Sequence, residues 1–264
     1  MKRIATITTL FALAITSVLV RPALAVNLVS EGFSYVNGNL VPNGGWANYS
    51  GANVDIQVAA GRATGGGVPN NQNDDHKLFA AQPTTSKTYA CFIANIPPIA
   101  AAPKPIYFAL LKDAGAANLV SRVYVMPIAG TTGFTFGISH SSTSATVGVT
   151  VWSAASLSYG TDYTIVINYD PVAKSSTLWV NPANELSTSV TDTNPAIAAL
   201  AVQGFGLRQS NAASVLPPTQ TGIGAADWNW AVDNLGVGTT FNDACARPTP
   251  TRSSTWGQVK AIYR

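Results

Sequence analysis

Short runs in which apolar and polar residues alternate, each closed by a turn-forming residue, recur along this chain and leave it little to fold into except β-sheet. Val54, Ile56 and Val58 are separated by Asp55 and Gln57. Further strand candidates cover residues 89–96, 106–111, 119–126, 134–138, 146–152, 163–169, 177–180, 205–207 and 228–237. Between them stand Pro42-Asn43-Gly44-Gly45, Gly65-Gly66-Gly67, Pro97-Pro98 and Asp170-Pro171, which supply backbone conformations that end a strand. Helix signals are scarce. Residues 195–202 are apolar enough for a turn or two of helix, and read equally well as a connection on a sandwich rim. The pattern predicts an all-β, two-sheet antiparallel sandwich.

Some candidate strands are apolar on both faces. In residues 106–111, Ile106, Phe108 and Leu110 alternate with Tyr107, Ala109 and Leu111, and in 89–96 Cys91 and Ile93 alternate with Phe92 and Ala94. Such strands need cover on both sides, from loops folded over the outer face or from a ligand lying in a groove there.

The N-terminus fixes the expected compartment. Lys2 and Arg3 precede an uncharged run over residues 4–20, and Ala23-Leu24-Ala25 is a small-x-small cleavage pattern, so residues 1–25 are expected to be a removable signal peptide. No later segment is apolar for long enough to span a bilayer. Residues 26–244 then form one large β domain, and 245–264 a Pro- and Ser-rich linker with a short tail in which Trp256, Val259 and Tyr263 share one stripe. Charged residues make up only 10% of the chain, against about 25% on average. Three of the cations behind the formal net charge of +3, Lys2, Arg3 and Arg21, belong to the signal segment. The remainder is near neutral and offers no electrostatic footprint for nucleic acid.

Three segments in order resemble the bacterial laminin-G-like members of the concanavalin A-like lectin and glucanase superfamily. They are Glu31-Gly32-Phe33-Ser34-Tyr35 with Asn43-Gly44-Gly45-Trp46, the run from Tyr163 to Asp170 leading to Leu178-Trp179-Val180-Asn181-Pro182, and the run from Val232 to Phe241. The resemblance implies a jelly-roll sandwich of two curved sheets, a glycan or matrix ligand, and a calcium ion at the sandwich rim. The superfamily's retaining glucanases carry Glu-x-Asp-x-x-Glu or a close variant on one strand, because the reaction needs a nucleophile and an acid about 5 Å apart. This chain has two glutamates, Glu31 and Glu185, far apart in sequence, and no strand with carboxylates at that spacing. A Gly-x-Ser-x-Gly elbow, a His-Glu-x-x-His pair and a phosphate loop are also missing. His76 and His140 lie in Asn/Asp-rich and Ser-rich surroundings that read as solvated loops.

Oxygen ligands concentrate in Asn70-Asn71-Gln72-Asn73-Asp74-Asp75-His76, which makes Asp74 and Asp75 the candidates for calcium, although turns are built from the same residues. Sugar rings stack on aromatic faces while amides and carboxylates take the hydroxyls. Trp228 and Trp230 share a face with Val232 and read as core, which leaves Asn229 and Asp233 on the opposite face; Trp179 is the candidate for an outward ring. These three, Trp179, Asn229 and Asp233, are the candidate ligand-binding residues. Cys91 and Cys245 are the only cysteines of a chain expected to be exported, so a Cys91–Cys245 disulfide, the one intramolecular pairing open to them, is expected. The alternative is a buried core thiol at Cys91 and a thiol at Cys245 free to pair with another molecule. The functional expectation is a secreted, non-catalytic module that binds a glycan or an extracellular surface component. The alternative is a secreted glycan-active hydrolase or lyase with an unrecognised carboxylate arrangement.

Overall fold

A computed structural model describes residues 26–66, 72–99, 105–128, 130–140, 150–209 and 228–246. The expected signal segment and the Trp256 tail lie outside them. The strands are β1 (Asn27–Glu31), β2 (Gly38–Asn39), β3 (Trp46–Ser50), β4 (Gln57–Ala59), β5 (Arg62–Gly66), β6 (Asp74–Leu78), β7 (Thr88–Asn95), β8 (Ile106–Lys112) and β9 (Leu119–Pro127). They continue with β10 (Gly133–Ser139), β11 (Val151–Trp152), β12 (Leu157–Ser158), β13 (Asp162–Asp170), β14 (Ser175–Val180), β15 (Ser189–Thr193), β16 (Gly204–Leu207) and β17 (Asn229–Gly238), and one short helix, α1 (Phe241–Cys245), follows. The apolar run 195–202 is a connection rather than a helix.

The strands form two antiparallel sheets. The nine-stranded sheet runs β15-β14-β13-β7-β17-β5-β4-β2, with β1 paired to β17 as well, and the eight-stranded sheet runs β11-β10-β9-β8-β16-β6-β3, with β12 paired to β10. This is the expected sandwich of jelly-roll type. Strand β17 is central: one edge takes β7, and the other is shared by β5 along its first half and β1 along its second.

The inner faces supply the core. Phe92 of β7, Phe108 of β8, Phe205 of β16 and Trp230 of β17 are buried and touch one another, with ring centroids 5.5 Å apart for Phe92–Phe205 and 6.0 Å for Phe108–Trp230. Trp228, Trp230 and Val232 all enter this core, as their common face required. At one end of the sandwich Glu31 is 4% exposed and acts as a hub. It pairs with Lys77 Nζ at 2.6 Å and accepts from Tyr35 Oη at 2.8 Å, the Phe33 amide at 2.8 Å and Trp46 Nε1 at 3.1 Å.

Both histidines are placed differently from their sequence-based reading. His76 lies in β6, an interior strand paired on both sides, and is 6% exposed. His140 follows β10 and is 1% exposed; its Nδ1 is 2.9 Å from Ser176 Oγ and its ring stacks on Tyr169. Asn, Asp and Ser neighbours suggest loops because they favour turns, but at His76 pairing with β3 and β16 overrides so weak a local preference, and His140 is drawn in by Ser176 and Tyr169.

The outer face of the nine-stranded sheet is partly covered by α1. Phe241 and Ala244 pack with Tyr89, Cys91, Val166 and Trp179 in a small separate cluster. The helix is N-capped by Thr240, whose side chain accepts from the Asp243 amide. It lies so close to β17 that a Cβ at Gly236 would run into the Ala244 carbonyl. Cys245 at its end bonds to Cys91 of β7, with the Cα atoms 5.2 Å apart, inside the range a bridge favours.

Candidate functional site

The outer face of the eight-stranded sheet carries the chemistry. Alternation along β9 sends Val123 and Val125 into the core and leaves Arg122 and Tyr124 outside. In β8 the register shifts at Ala109, so that Tyr107, Leu110 and Lys112 face outward together. Arg208 follows β16, and its guanidinium lies 4.3 Å from the centre of the Tyr107 ring. The Arg122 guanidinium lies 5.1 Å from the centre of the same ring and 6.0 Å from that of Tyr124. Trp152 of β11 meets Tyr124 edge to face at 6.3 Å. At the opposite end His76 and Tyr49 stack at 5.3 Å, and Lys112 Nζ sits 4.6 Å over the Tyr49 ring. Glycine makes the floor: a Cβ at Gly206 would approach Leu110 Cδ1 to 2.8 Å, so a side chain there would displace the residues that form this surface.

Tyr49, Tyr124 and Trp152 are half-buried, whereas Tyr107, Lys112, Arg122, Arg208 and His76 are buried. The band is therefore aromatic where it reaches the surface and cationic beneath. Burial disfavours charge on both basic partners at its centre. The pKa of Lys112 is pulled down to about 8, the Asp113 charge opposing. That of His76 is pulled down to about 4 by burial and then by the Lys112 charge. His76 Nδ1 is 2.9 Å from Lys112 Nζ. A protonated ammonium has nothing with which to accept, so Nδ1 accepts, and the neutral ring carries its proton on Nε2. His76 is thus a hydrogen-bond donor toward anything lying on this face. Burial, then the Asp74 charge, raises the pKa of Tyr49 and keeps its hydroxyl protonated.

The residues singled out in the sequence are dispersed. Asp74 belongs to this face: its Oδ1 accepts from the Gln209 amide at 3.1 Å, and its Oδ2 is 3.9 Å from Arg208 Nε. Asp75 is the next residue of β6, sits opposite the core residue Leu207, and points to the other side of the sheet. The two carboxylates therefore do not converge on one ion. Among the described residues no group of three or more His, Cys, Asp or Glu side chains is placed to hold a metal. Trp179 does face outward from the nine-stranded sheet, but it is 4% exposed, lies edge-on to Phe241 and donates from Nε1 to the Glu185 carbonyl. Its ring is covered by α1 and offers no platform. Asn229 is exposed on β17, and Asp233 Oδ2 is 4.0 Å from Arg62 Nε. Strand β17 stands three strand spacings from the β14 strand of Trp179, about 14 Å, so these three candidates do not form one site.

Both glutamates are engaged within the domain. Glu31 is held by its four donors, and Glu185 accepts from the Tyr89 hydroxyl at 2.7 Å. The band on the eight-stranded sheet was missed because its members come from six strands and no two adjacent positions carry it. Its trace in the sequence is the alternation of Arg122 and Tyr124 with Val123 and Val125, a polar and aromatic outer face where a solvated one would carry Ser, Thr or Lys.

No family model and no curated protein sequence matches the chain. Solved structures resemble it at low identity. The CBM2 module of the evolved Dit of Lactobacillus casei BL23 phage J-1 is 12% identical, with a TM-score of 0.48 over 81% of this chain and 96% of that one. An alginate lyase is 13% identical, with a TM-score of 0.47 over 81% and 97%. An alginate lyase from Alteromonas sp. 272 is 9% identical, with a TM-score of 0.44 over 73% and 92%. The fold stands on the strand pairing itself.

Proposed function

We propose that this chain is a secreted, non-catalytic β-sandwich of laminin-G-like type that recognises a glycan or another extracellular surface component, and that it binds on the outer face of the eight-stranded sheet. The observation that carries the reading is the half-buried row of Tyr49, Tyr124 and Trp152 above buried hydrogen-bond donors. Aromatic rings offer flat apolar faces to the C–H faces of sugars, and fixed donors between them select hydroxyl or acidic oxygens. The Cys91–Cys245 bridge fits a compartment in which thiols oxidise, and no described helix is long and apolar enough to cross a membrane. Residues 26–244 are the binding unit in this reading, and 245–264 a tail rooted on it by the bridge.

Titration of the full chain with a panel of soluble polysaccharides, with and without calcium, tests the proposal. Tyr124→Ala and Trp152→Ala are expected to weaken binding about tenfold or more each without lowering the melting temperature appreciably, since both side chains are half-buried. Unchanged affinity in both variants places the ligand elsewhere. A second reading, a glycan-active lyase, draws on His76 and Lys112, two groups of displaced pKa in contact beside Tyr49. Sustained release of new reducing ends from any bound polysaccharide decides for that reading and against a pure binder.

A further inference from the structure

The polar groups on the outer face of the eight-stranded sheet are unbalanced in kind. Lys112, His76, Tyr49 and Arg208 all present donors, and Lys112 and Arg208 are cations. Among the described residues the carboxylate placed against them is Asp74, engaged by the Gln209 amide and near Arg208. The Asp113 carboxylate beside Lys112 is turned to its own loop, accepting from the Gly115 amide and from Asn118 Nδ2; toward Lys112 it offers only its backbone carbonyl, at 2.8 Å. Two of the donors are buried with no hydrogen-bond partner, Arg208 Nη1 and the Tyr49 hydroxyl. Leaving a buried guanidinium nitrogen or phenol unpaired is costly, and burying Lys112 and Arg208 against one carboxylate adds to that cost. An arrangement of this kind is relieved by a ligand that brings oxygen acceptors and negative charge.

We propose that the glycan recognised on this face is acidic, and that a carboxylate or sulfate group on it is held by Arg208 and Lys112, with Tyr49 and His76 Nε2 donating to its remaining oxygens. The inference rests on the glycan-binding reading above and names the chemical class of the ligand. A neutral glycan would meet the aromatic row equally well but would bring no negative charge to Arg208 and Lys112. Arg208 suits the task because a guanidinium gives two parallel donors to a planar carboxylate or to two sulfate oxygens. The stacked Tyr49 and His76 rings and the cation over Tyr49 hold the donors in place before the ligand arrives.

The test measures the affinity of the full chain for a polyuronate, for the same polymer after chemical reduction of its carboxyl groups to alcohols, and for a sulfated dextran beside plain dextran. Retention of the polyuronate with at least tenfold loss on carboxyl reduction identifies the carboxylate as the anchor. Tenfold preference for sulfated over plain dextran identifies a sulfate. In either case affinity falls as salt rises, and Arg208→Gln, with Lys112→Met as a second variant of similar volume, weakens binding of the acidic polymer about tenfold more than that of its neutral counterpart. Tight binding to the neutral polymers with no preference for the acidic ones overturns the inference and leaves the glycan-binding reading standing. Binding to none of the four overturns both. Should Lys112→Met fail to fold, the Arg208 variant and the salt dependence of the unaltered chain decide.

Discussion

Two buried carboxyl groups at the same end of the sandwich respond to pH in opposite senses. Burial, then the Asp55 charge, raises the Asp75 pKa from an ordinary 3.8 to about 7; the Ile56 backbone and the Asn48 side chain favour the charged form, but neither holds the carboxylate in good hydrogen-bond geometry. The folded protein therefore binds a proton at Asp75 that the unfolded chain has released, and stability contributed by that proton is lost as pH rises from about 4 to about 7. For Glu31 burial also works against the charge, but the hydrogen bonds from Lys77, Tyr35 and Phe33 outweigh it and the pKa falls below its ordinary 4.5. Its contribution is present above that value and lost as pH falls through the lowered one. Asp75→Asn is expected to raise the midpoint of thermal unfolding at pH 8, by a stability gain on the order of 2 kcal/mol, and to change it little at pH 4. Equal effects at both pH values would show that Asp75 is ionised throughout.

At the scale of elements, α1 and β7 are joined by the Cys91–Cys245 bridge, which closes a separation of 154 residues. Restricting the unfolded chain over such a loop is worth about 5 kcal/mol in the entropy account. The helix is only five residues long, too short to persist without its packing. It is kept by the bridge, by Phe241 against Trp179 and Tyr89, and by the close approach that Gly236 permits. A Cys91→Ala/Cys245→Ala variant is expected to lose about 3 kcal/mol in denaturant titration, and its Trp179 fluorescence should shift as solvent reaches the ring. Stability within about 0.5 kcal/mol of the unaltered protein would mean that packing alone fastens the helix.

Across the whole molecule, the two sheets present different outer faces to the outside. That of the nine-stranded sheet is closed by α1 at one region and carries the bidentate Arg62–Asp162 pair at another, at 2.7 Å for both contacts. That of the eight-stranded sheet carries the cationic and aromatic band. Strands β7, β8 and β17 have neighbours on both edges and buried side chains on both faces or nearly so. Their amides should exchange with solvent last, near the global unfolding free energy, whereas β2, β3 and β15 at the sheet edges exchange through local opening. Fast exchange in β8 alone would indicate that its sheet opens independently, as a lid over the core.

The sequence by itself determined the fold class, because alternation over ten or so short runs admits only sheet, and it determined which tryptophans of β17 are core, because Trp228, Trp230 and Val232 share a parity. It narrowed the cysteines to one intramolecular pairing, and the 5.2 Å between their Cα atoms made that pairing a bond. It could not determine what covers a two-sided strand. Tyr89 and Cys91 proved to lie under a five-residue helix, and Tyr107 and Leu110 beside arginines and tyrosines from other strands. Nor could it place His76, because the partners that make β6 a strand, β3 and β16, are more than a hundred residues apart from each other in the chain. Parity along a strand is a local property and is written in consecutive residues. Which side chains stand next to one another across a sheet depends on strand order, which is set by the packing of the whole core and is written in no single segment.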